Sequence, residues 1–527
     1  MQYNSWVYLL PFLGLTLLAY YALPLPQRWK ALLGASVVFY VISSRQLIAV
    51  LVLTTIPVFY GARSIRRMRE KFDAEKAGLE KEERKRRRAA LNARCAHLEA
   101  LICALALGIL FFTKYFNFVG SNLNLLLGAL GAAGRIPTLH LLMPLGISFY
   151  TLSAVSYVAD VTRGACPAED SYWKLLTFLM FFPVITEGPI CRYGQLGLQV
   201  RQGHAFDWRN FCFGLQLIVW GLFQKVVLAD RIDHFVGVIF DNYARYSGLI
   251  VVVGTLLYTF QIYMDFAGCV DIARGSAQLF GIELPLNFTR PFFAVSVNDF
   301  WRRWHITLGA WLRDYIFYPI SLSRSFQSLS KASRSRLSPY YAATLPALIA
   351  LLAVWLGNGV WHGAGWKYIV YGLYYYAITA VGMLLEPAFA KALAVMRIDR
   401  KGLPWRVFQT LRTFVLVNIG MLLFRASSLR AGAAMLASIL RRTNGSVGHV
   451  LATQGLPSGQ LALVLTGAAA VLAVGILQER GVHIRERLAA LPLPVRWSVY
   501  LFGVLFVIIT GAYGPGFGIV DFIYAQF

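Results

Sequence analysis

The chain has 527 residues, of which 57% are hydrophobic and 14% charged. Soluble globular chains are about a quarter charged, so this composition excludes a string of soluble domains and describes a polytopic membrane protein. The formal charge of +25 sits between apolar segments, so it reads as basic loops beside anionic lipid, with no nucleic-acid partner expected.

The first apolar segment, residues 6–23, has no basic residues before it and is followed by Arg28 and Lys30. The positive-inside rule then places the N-terminus outside, and a secretory signal would show the reverse charge order. Segments near 31–43 and 46–61 are short for a span of about 20 residues. They join at Ser43-Ser44-Arg45 and fit a helical hairpin. Residues 62–97 are the clearest soluble stretch, with the run Arg84-Lys85-Arg86-Arg87-Arg88 interleaved with Glu70, Glu75, Glu80, Glu82 and Glu83. Charge pairs four residues apart favour a helix there, expected as a basic cytoplasmic helical loop at the lipid surface.

Residues 98–118 span again, and 119–137 read as an outer loop. A segment from Pro144 ends at Asp160 and Arg163, and another, 171–186, runs into Phe182-Pro183-Val184-Ile185-Thr186-Glu187-Gly188-Pro189. The prolines break a helix there. Broken backbone at membrane depth survives only inside protein or beside a water-filled cavity, so Glu187 lines either a cavity or an interfacial turn. The six cysteines are scattered without a C-x-x-C pair, which indicates neither a zinc cage nor a disulfide framework, and no metal site is expected. Cys191, within the Gly-Pro turn, stands apart from the rest.

Spans follow at 211–229 and 248–267. In the second, Gln261 and Asp265 are four residues apart and share one helix face. An intramembrane carboxylate marks a functional site by default; the plainer reading pairs Asp265 with an arginine such as Arg274, Arg290 or Arg302. Residues 285–320 are too polar for a simple span and read as short, partly re-entrant helices. The stretch 324–336 carries Arg324, Lys331, Arg334 and Arg336 without an acid and reads as a cytoplasmic loop. Spans near 341–358, 366–386, 408–424, 460–477 and 497–511 complete roughly eleven, with boundaries good to a few residues, and put the C-terminus outside. There is no internal repeat, and residues 1–527 are expected to form a single integral membrane domain.

Two histidines each follow a tryptophan, in Phe300-Trp301-Arg302-Arg303-Trp304-His305 and in Asn358-Gly359-Val360-Trp361-His362-Gly363-Ala364-Gly365-Trp366. An imidazole in an apolar setting is expensive unless it pairs, binds or moves protons. Gly-Lys-Ser/Thr, G-x-S-x-G and H-E-x-x-H are all absent, which argues against an ATP-driven pump, a serine hydrolase and a metalloprotease. A neutral imidazole can instead take a proton from a hydroxyl as its oxygen attacks a carbonyl. A structural hydrogen-bonding role competes with that reading for both histidines, most evenly for His305. A transporter using the histidines, Asp265 and Glu187 as a proton relay fits the same composition.

The chain resembles the membrane-bound O-acyltransferase superfamily in PLGISFY (144–150), SYVADVTRG (156–164), FFPVITEGPICRY (181–193), YMDFAGCVDIARG (263–275), GIELPLNFTRPFF (281–293), DFWRRWHITLGAWLRDYIFYP (299–319), NGVWHGAGWKYIVYGLYY (358–375), FRA (424–426) and FIYAQF (522–527). These run in order over 144–527, the part that matches best. The resemblance is closest to the bacterial branch that acetylates alginate or D-alanylates teichoic acid. It implies an all-α fold, a ring of transmembrane helices with re-entrant pieces around a central funnel or tunnel. It makes His362 the catalytic residue and His305 the second one. Asn298, Arg302, Trp304, Asn358 and Trp361 become candidates for shaping the site, beside Gln261 and Asp265. It implies no permanently bound cofactor, with acyl-CoA or an acyl-carrier-protein thioester as donor substrate. The implied setting is the bacterial cytoplasmic (inner) membrane, with membrane lipid, an extracytoplasmic esterase-like or acyl-accepting protein, and an acyl carrier protein as partners.

Overall fold

The computed structural model describes residues 1–44, 47–132 and 134–513. Among them the fold is all-helical, and nine helical segments are long and apolar enough to cross a membrane. The expected count of roughly eleven included shorter pieces. The first apolar segment is a short helix over Tyr8–Ala22, and the helix at Ile147–Arg163 has 17 residues. The FIYAQF stretch and Arg45 lie outside the described residues.

Two compact units are present. The first comprises Met1–Leu215 and Ala273–Pro285. It contains α1 (Leu13–Ala22), α2 (Arg28–Ser44), α3 (Ile48–Glu75), α4 (Lys81–Ala129), α5 (Ile147–Arg163), α6 (Tyr172–Leu179) and α7 (Leu198–Gln202). The basic stretch 62–97 is helical, as expected from its charge pairs. It forms the end of α3 and the start of α4, which are joined by a turn at Lys76–Gly78 and are each continuous with an apolar segment. The reason is visible in the sequence: Glu82 and Glu83 sit in the first turn of α4, where the helix dipole favours acids, and Glu83 pairs with Arg87 at 2.7 Å. Nothing between Lys81 and Ala129 breaks the helix, so α4 also takes in the first half of the expected outer loop. The second break behaves as the prolines predict. α6 stops at Leu179, and turns carry the chain through Glu187 to Arg192.

The second unit comprises Gln216–Ile272 and Leu286–Phe527. Here the second half of α8 (Trp208–Leu222), a π-helical stretch (Phe223–Ala229) and α9 (Asp230–Asp241) form one continuous segment, followed by most of α10 (Leu249–Gln278). The short helices expected over 285–320 are α11 (Val297–Arg303), α12 (Ile306–Leu312) and α13 (Tyr318–Ser321). The basic stretch expected as a loop is α14 (Arg324–Arg334), capped by the Ser323 hydroxyl accepting from the Phe326 amide. Then come α15 (Pro339–His362), α16 (Trp366–Val395), α17 (Leu403–Arg425), α18 (Leu429–Ile439), α19 (Val447–Thr453), α20 (Ser458–Glu479), α21 (Ile484–Ala489) and α22 (Leu493–Thr510).

Two local devices position the candidate site. α15 and α16 form a hairpin through Gly363-Ala364-Gly365 in which their backbones nearly touch. A Cβ at Gly359 would lie 2.4 Å from the Tyr368 carbonyl oxygen, and one at Gly372 would lie 2.3 Å from that of Trp355. Small residues permit this approach between membrane helices. At the other device, Ser296 caps α11 by accepting from the Asp299 amide, and Asp299 accepts in return from the Val295 amide. α11 ends where Trp304 turns extended and bridges antiparallel to Phe288.

Candidate functional site

His305 follows directly on that bridge. Its φ of 46° is left-handed, unusual for a residue with a Cβ. The bend is held from both sides: the Thr289 amide donates to the Arg303 carbonyl, and the Ile306 amide donates to the Asn287 carbonyl. The Asn287 side chain completes the clasp. Its Oδ1 accepts from the Thr307 amide at 3.2 Å, the Thr307 hydroxyl at 2.9 Å and His305 Nδ1 at 3.1 Å. An oxygen that accepts from two Thr307 donors is an acceptor for the imidazole too, so Nδ1 carries the proton and Nε2 the lone pair. The ring is buried, edge-on to Phe266 at 4.8 Å. Burial pushes its pKa down from the usual 6.5 to about 3, so His305 is neutral at physiological pH.

His362 is the last residue of α15 and is equally buried, but its surroundings are aromatic. Trp361, Tyr371 and Phe424 stand edge-on to it, with ring centroids at 4.9, 5.7 and 5.2 Å. α16 supplies Tyr371 and α17 supplies Phe424, so three helices enclose the imidazole. Lys367 ties the end of α17 to the hairpin by donating to the Ala426 carbonyl at 3.0 Å.

The two histidines meet at one side chain. The Trp361 indole lies 5.4 Å from the His305 ring and 4.9 Å from the His362 ring. Trp304, the residue before His305, is buried, stacked on Phe300 and edge-on to Phe288. Asn358 is buried one helical turn before His362. Asn298 and Arg302 lie on the exposed face of α11, outside the buried cluster. α11 buries Val297 and Phe300 and packs Trp301 against Trp355 and Tyr375, which leaves Asn298 and Arg302, four residues apart, together on the opposite face. Asp265 and Gln261 are buried, but the partner of Asp265 is Lys225 at 2.5 Å rather than an arginine, while Gln261 donates to Asp233 at 2.7 Å. Glu187 and Cys191 are buried in the first unit. The Cys191 thiol donates to the Pro189 carbonyl, and burial pushes it well above the usual thiol range.

Four contributors escaped sequence reasoning as individuals: Asn287, Phe266, Tyr371 and Phe424. Asn287 carries a signal, an amide between apolar residues in Leu284-Pro285-Leu286-Asn287-Phe288. The aromatic residues carry none, because the chain is rich in them.

No group of three or more metal-ligating side chains forms a candidate metal site among the described residues. What the cluster offers is one neutral imidazole of fixed tautomer and a second in an aromatic box, set on a shared indole.

The sequence model of the MBOAT, membrane-bound O-acyltransferase family, matches residues 170–425, which include both histidines, Asn287 and Lys225. The chain is 30% identical to a peptidoglycan O-acetyltransferase of Helicobacter pylori, over 65% of this chain and 64% of that protein. It is 30% identical to a probable alginate O-acetylase AlgI of Azotobacter vinelandii, over 70% of this chain and 68% of the relative. A teichoic acid D-alanyltransferase of Bacillus subtilis is 28% identical over 45% of this chain and 58% of its own length. The matches thus span about two thirds or less of these relatives. With its apolar helices, its two tryptophan-flanked histidines and these similarities, the chain belongs to the membrane-bound O-acyltransferase family.

Proposed function

We propose that this protein is an O-acyltransferase that moves an acyl group, acetyl before others, from a cytoplasmic thioester to a hydroxyl of a cell-surface or exported polysaccharide. The observation that carries the reading is the pair of buried imidazoles on Trp361, one with its tautomer fixed by Asn287. In this reaction His362 takes the proton of the acceptor hydroxyl as its oxygen attacks the thioester carbonyl. The tetrahedral intermediate collapses, the C–S bond breaks, and the proton passes from the imidazolium to the departing thiolate. The products are the O-ester and the free thiol. A positioned base of this kind contributes about 10²- to 10⁴-fold. His305, kept neutral by burial and donating from Nδ1 to Asn287 Oδ1, serves as an orienting group. Acetyl transfer to a glycan is favoured by the acetylase names of the first two relatives.

The donor is acyl-CoA or an acyl carrier protein thioester, and no permanent cofactor takes part. The protein resides in the bacterial inner membrane with both termini outside, in contact with lipid and with an extracytoplasmic esterase-like or acyl-accepting partner. D-alanyl transfer is the second reading, favoured by the teichoic acid relative and by the GPICRY turn at 188–193.

Mass spectrometry of surface polymers tests both. Cells carrying His362→Ala should lose one ester class, acetyl on the first reading and alanyl on the second. Unchanged esters in that strain would overturn acyl transfer by this site.

A further inference from the structure

Lys225 lies in the π-helical stretch between α8 and α9, with a side chain 0% exposed. Its ammonium is shared between Asp230 Oδ1 at 2.8 Å and Asp265 Oδ1 at 2.5 Å. Buried charge triads are costly, and apolar residues of the same volume are often more stable. Their attested use is to specify register, and the surroundings fit that use.

Three contacts fix one face of α10. Gln261 donates to Asp233 on α9, and Asp265 pairs with Lys225. Gly268 meets Gly221 backbone to backbone: a Cβ at Gly268 would lie 2.7 Å from the Gly221 carbonyl oxygen, and one at Gly221 would lie 2.5 Å from that of Gly268. Residues 261, 265 and 268 recur at helical spacing, so they form a single stripe. Phe266 is one residue beyond Asp265, about 100° further round the helix. Its ring packs edge-on against His305 at 4.8 Å and Phe288 at 5.0 Å. Any rotation of α10 about its axis moves that ring against the imidazole. A point contact such as Gly221–Gly268 sets distance but resists rotation poorly, whereas an ammonium gripping two carboxylates on two elements resists it.

We propose that Lys225 is a positioning residue for the reaction: with Asp230 and Asp265 it sets the rotation of α10 and, through Phe266, the seat of the His305 imidazole. The inference rests on the acyl-transfer reading for its kinetic consequence only.

The test uses the full-length protein in detergent with ¹³C-labelled histidine. The variants are Phe266→Leu, the neutral triple Lys225→Met/Asp230→Asn/Asp265→Asn, and their combination. The His305 resonance is assigned by its absence in His305→Gln. Removing the Phe266 ring should shift that resonance, and the triple should shift it as well, with a melting temperature at or above that of the wild type. Acyl transfer from an acetyl thioester should fall at least tenfold in kcat in the triple, with KM for the thioester unchanged. Adding Phe266→Leu should cost no more than about twofold further. A triple that keeps the wild-type His305 resonance, or losses in kcat that multiply, would overturn the proposal. Absence of acyl transfer in the wild-type protein would count against the enzymatic reading alone, because the resonance arm needs no turnover.

Discussion

His305 and His362 touch the same indole, yet they are held by opposite means. His305 sits at a left-handed corner between two seven-residue helices, fastened by backbone pairing and by three hydrogen bonds to one asparagine oxygen. His362 ends a 24-residue helix and is fixed by ring edges from Trp361, Tyr371 and Phe424. Hydrogen bonds select a tautomer and a direction; aromatic walls select a volume. The first arrangement suits an orienting group and the second a group that changes its proton during a reaction.

Removing each imidazole should therefore cost different things. His362→Ala should lower acyl transfer by about 10²- to 10⁴-fold while the melting temperature in detergent moves little. A variant that keeps wild-type turnover would reverse the assignment of roles. The next largest effect falls on the clasp. Asn287→Ala strips the acceptor from His305 Nδ1 and both Thr307 donors inside a buried corner. Each buried group left unsatisfied costs about 1–3 kcal/mol, so the protein should melt several degrees lower and also lose turnover. Loss of turnover without loss of stability would make Asn287 a substrate contact instead.

Much of this contrast was readable in the chain, and the unreadable part has definite causes. The tryptophan–histidine pairs stand out because ionisable residues are scarce in so apolar a sequence. The helical class follows from the same composition. The partner of Asp265 was not readable, since Lys225 lies 40 positions earlier, within a π turn that hydropathy does not reveal. The exposure of Asn298 and Arg302 was not readable either, because proximity to His305 in sequence says nothing about which side of a short helix is buried. In the charged stretch 62–97 the helices were readable but their ends were not: a change from polar to apolar residues marks a change of surroundings, and helix α4 passes through it unbroken.

The pH dependence of stability separates the two corners next. The folded His305 pKa is near 3 and the ordinary value is 6.5. Below pH 6.5 the unfolded chain takes a proton that the folded protein refuses, so stability is full above that pH and falls as acid is added. The loss is about 1.4 kcal/mol per pH unit, or about 2 kcal/mol by pH 5. His305→Gln keeps an amide able to donate to Asn287 and removes the titration. Its melting temperature should fall less than that of the wild type between pH 7 and pH 5. Parallel curves would mean that His305 is protonated in the folded protein.

The smallest expected effect probes the aromatic box. Phe424→Leu keeps an apolar side chain but removes one ring edge from His362. An edge-to-face pair is worth about 0.5–1.5 kcal/mol beyond its buried area, so stability should drop only slightly. If the box acts by holding the imidazole in place, turnover should fall several-fold without a change in KM for the thioester. The same exchange leaves the Asn287 clasp intact, so the acid limb set by His305 should not move. A shift of that limb would show that the two corners are coupled through Trp361, and that the indole transmits strain between them rather than merely filling the space.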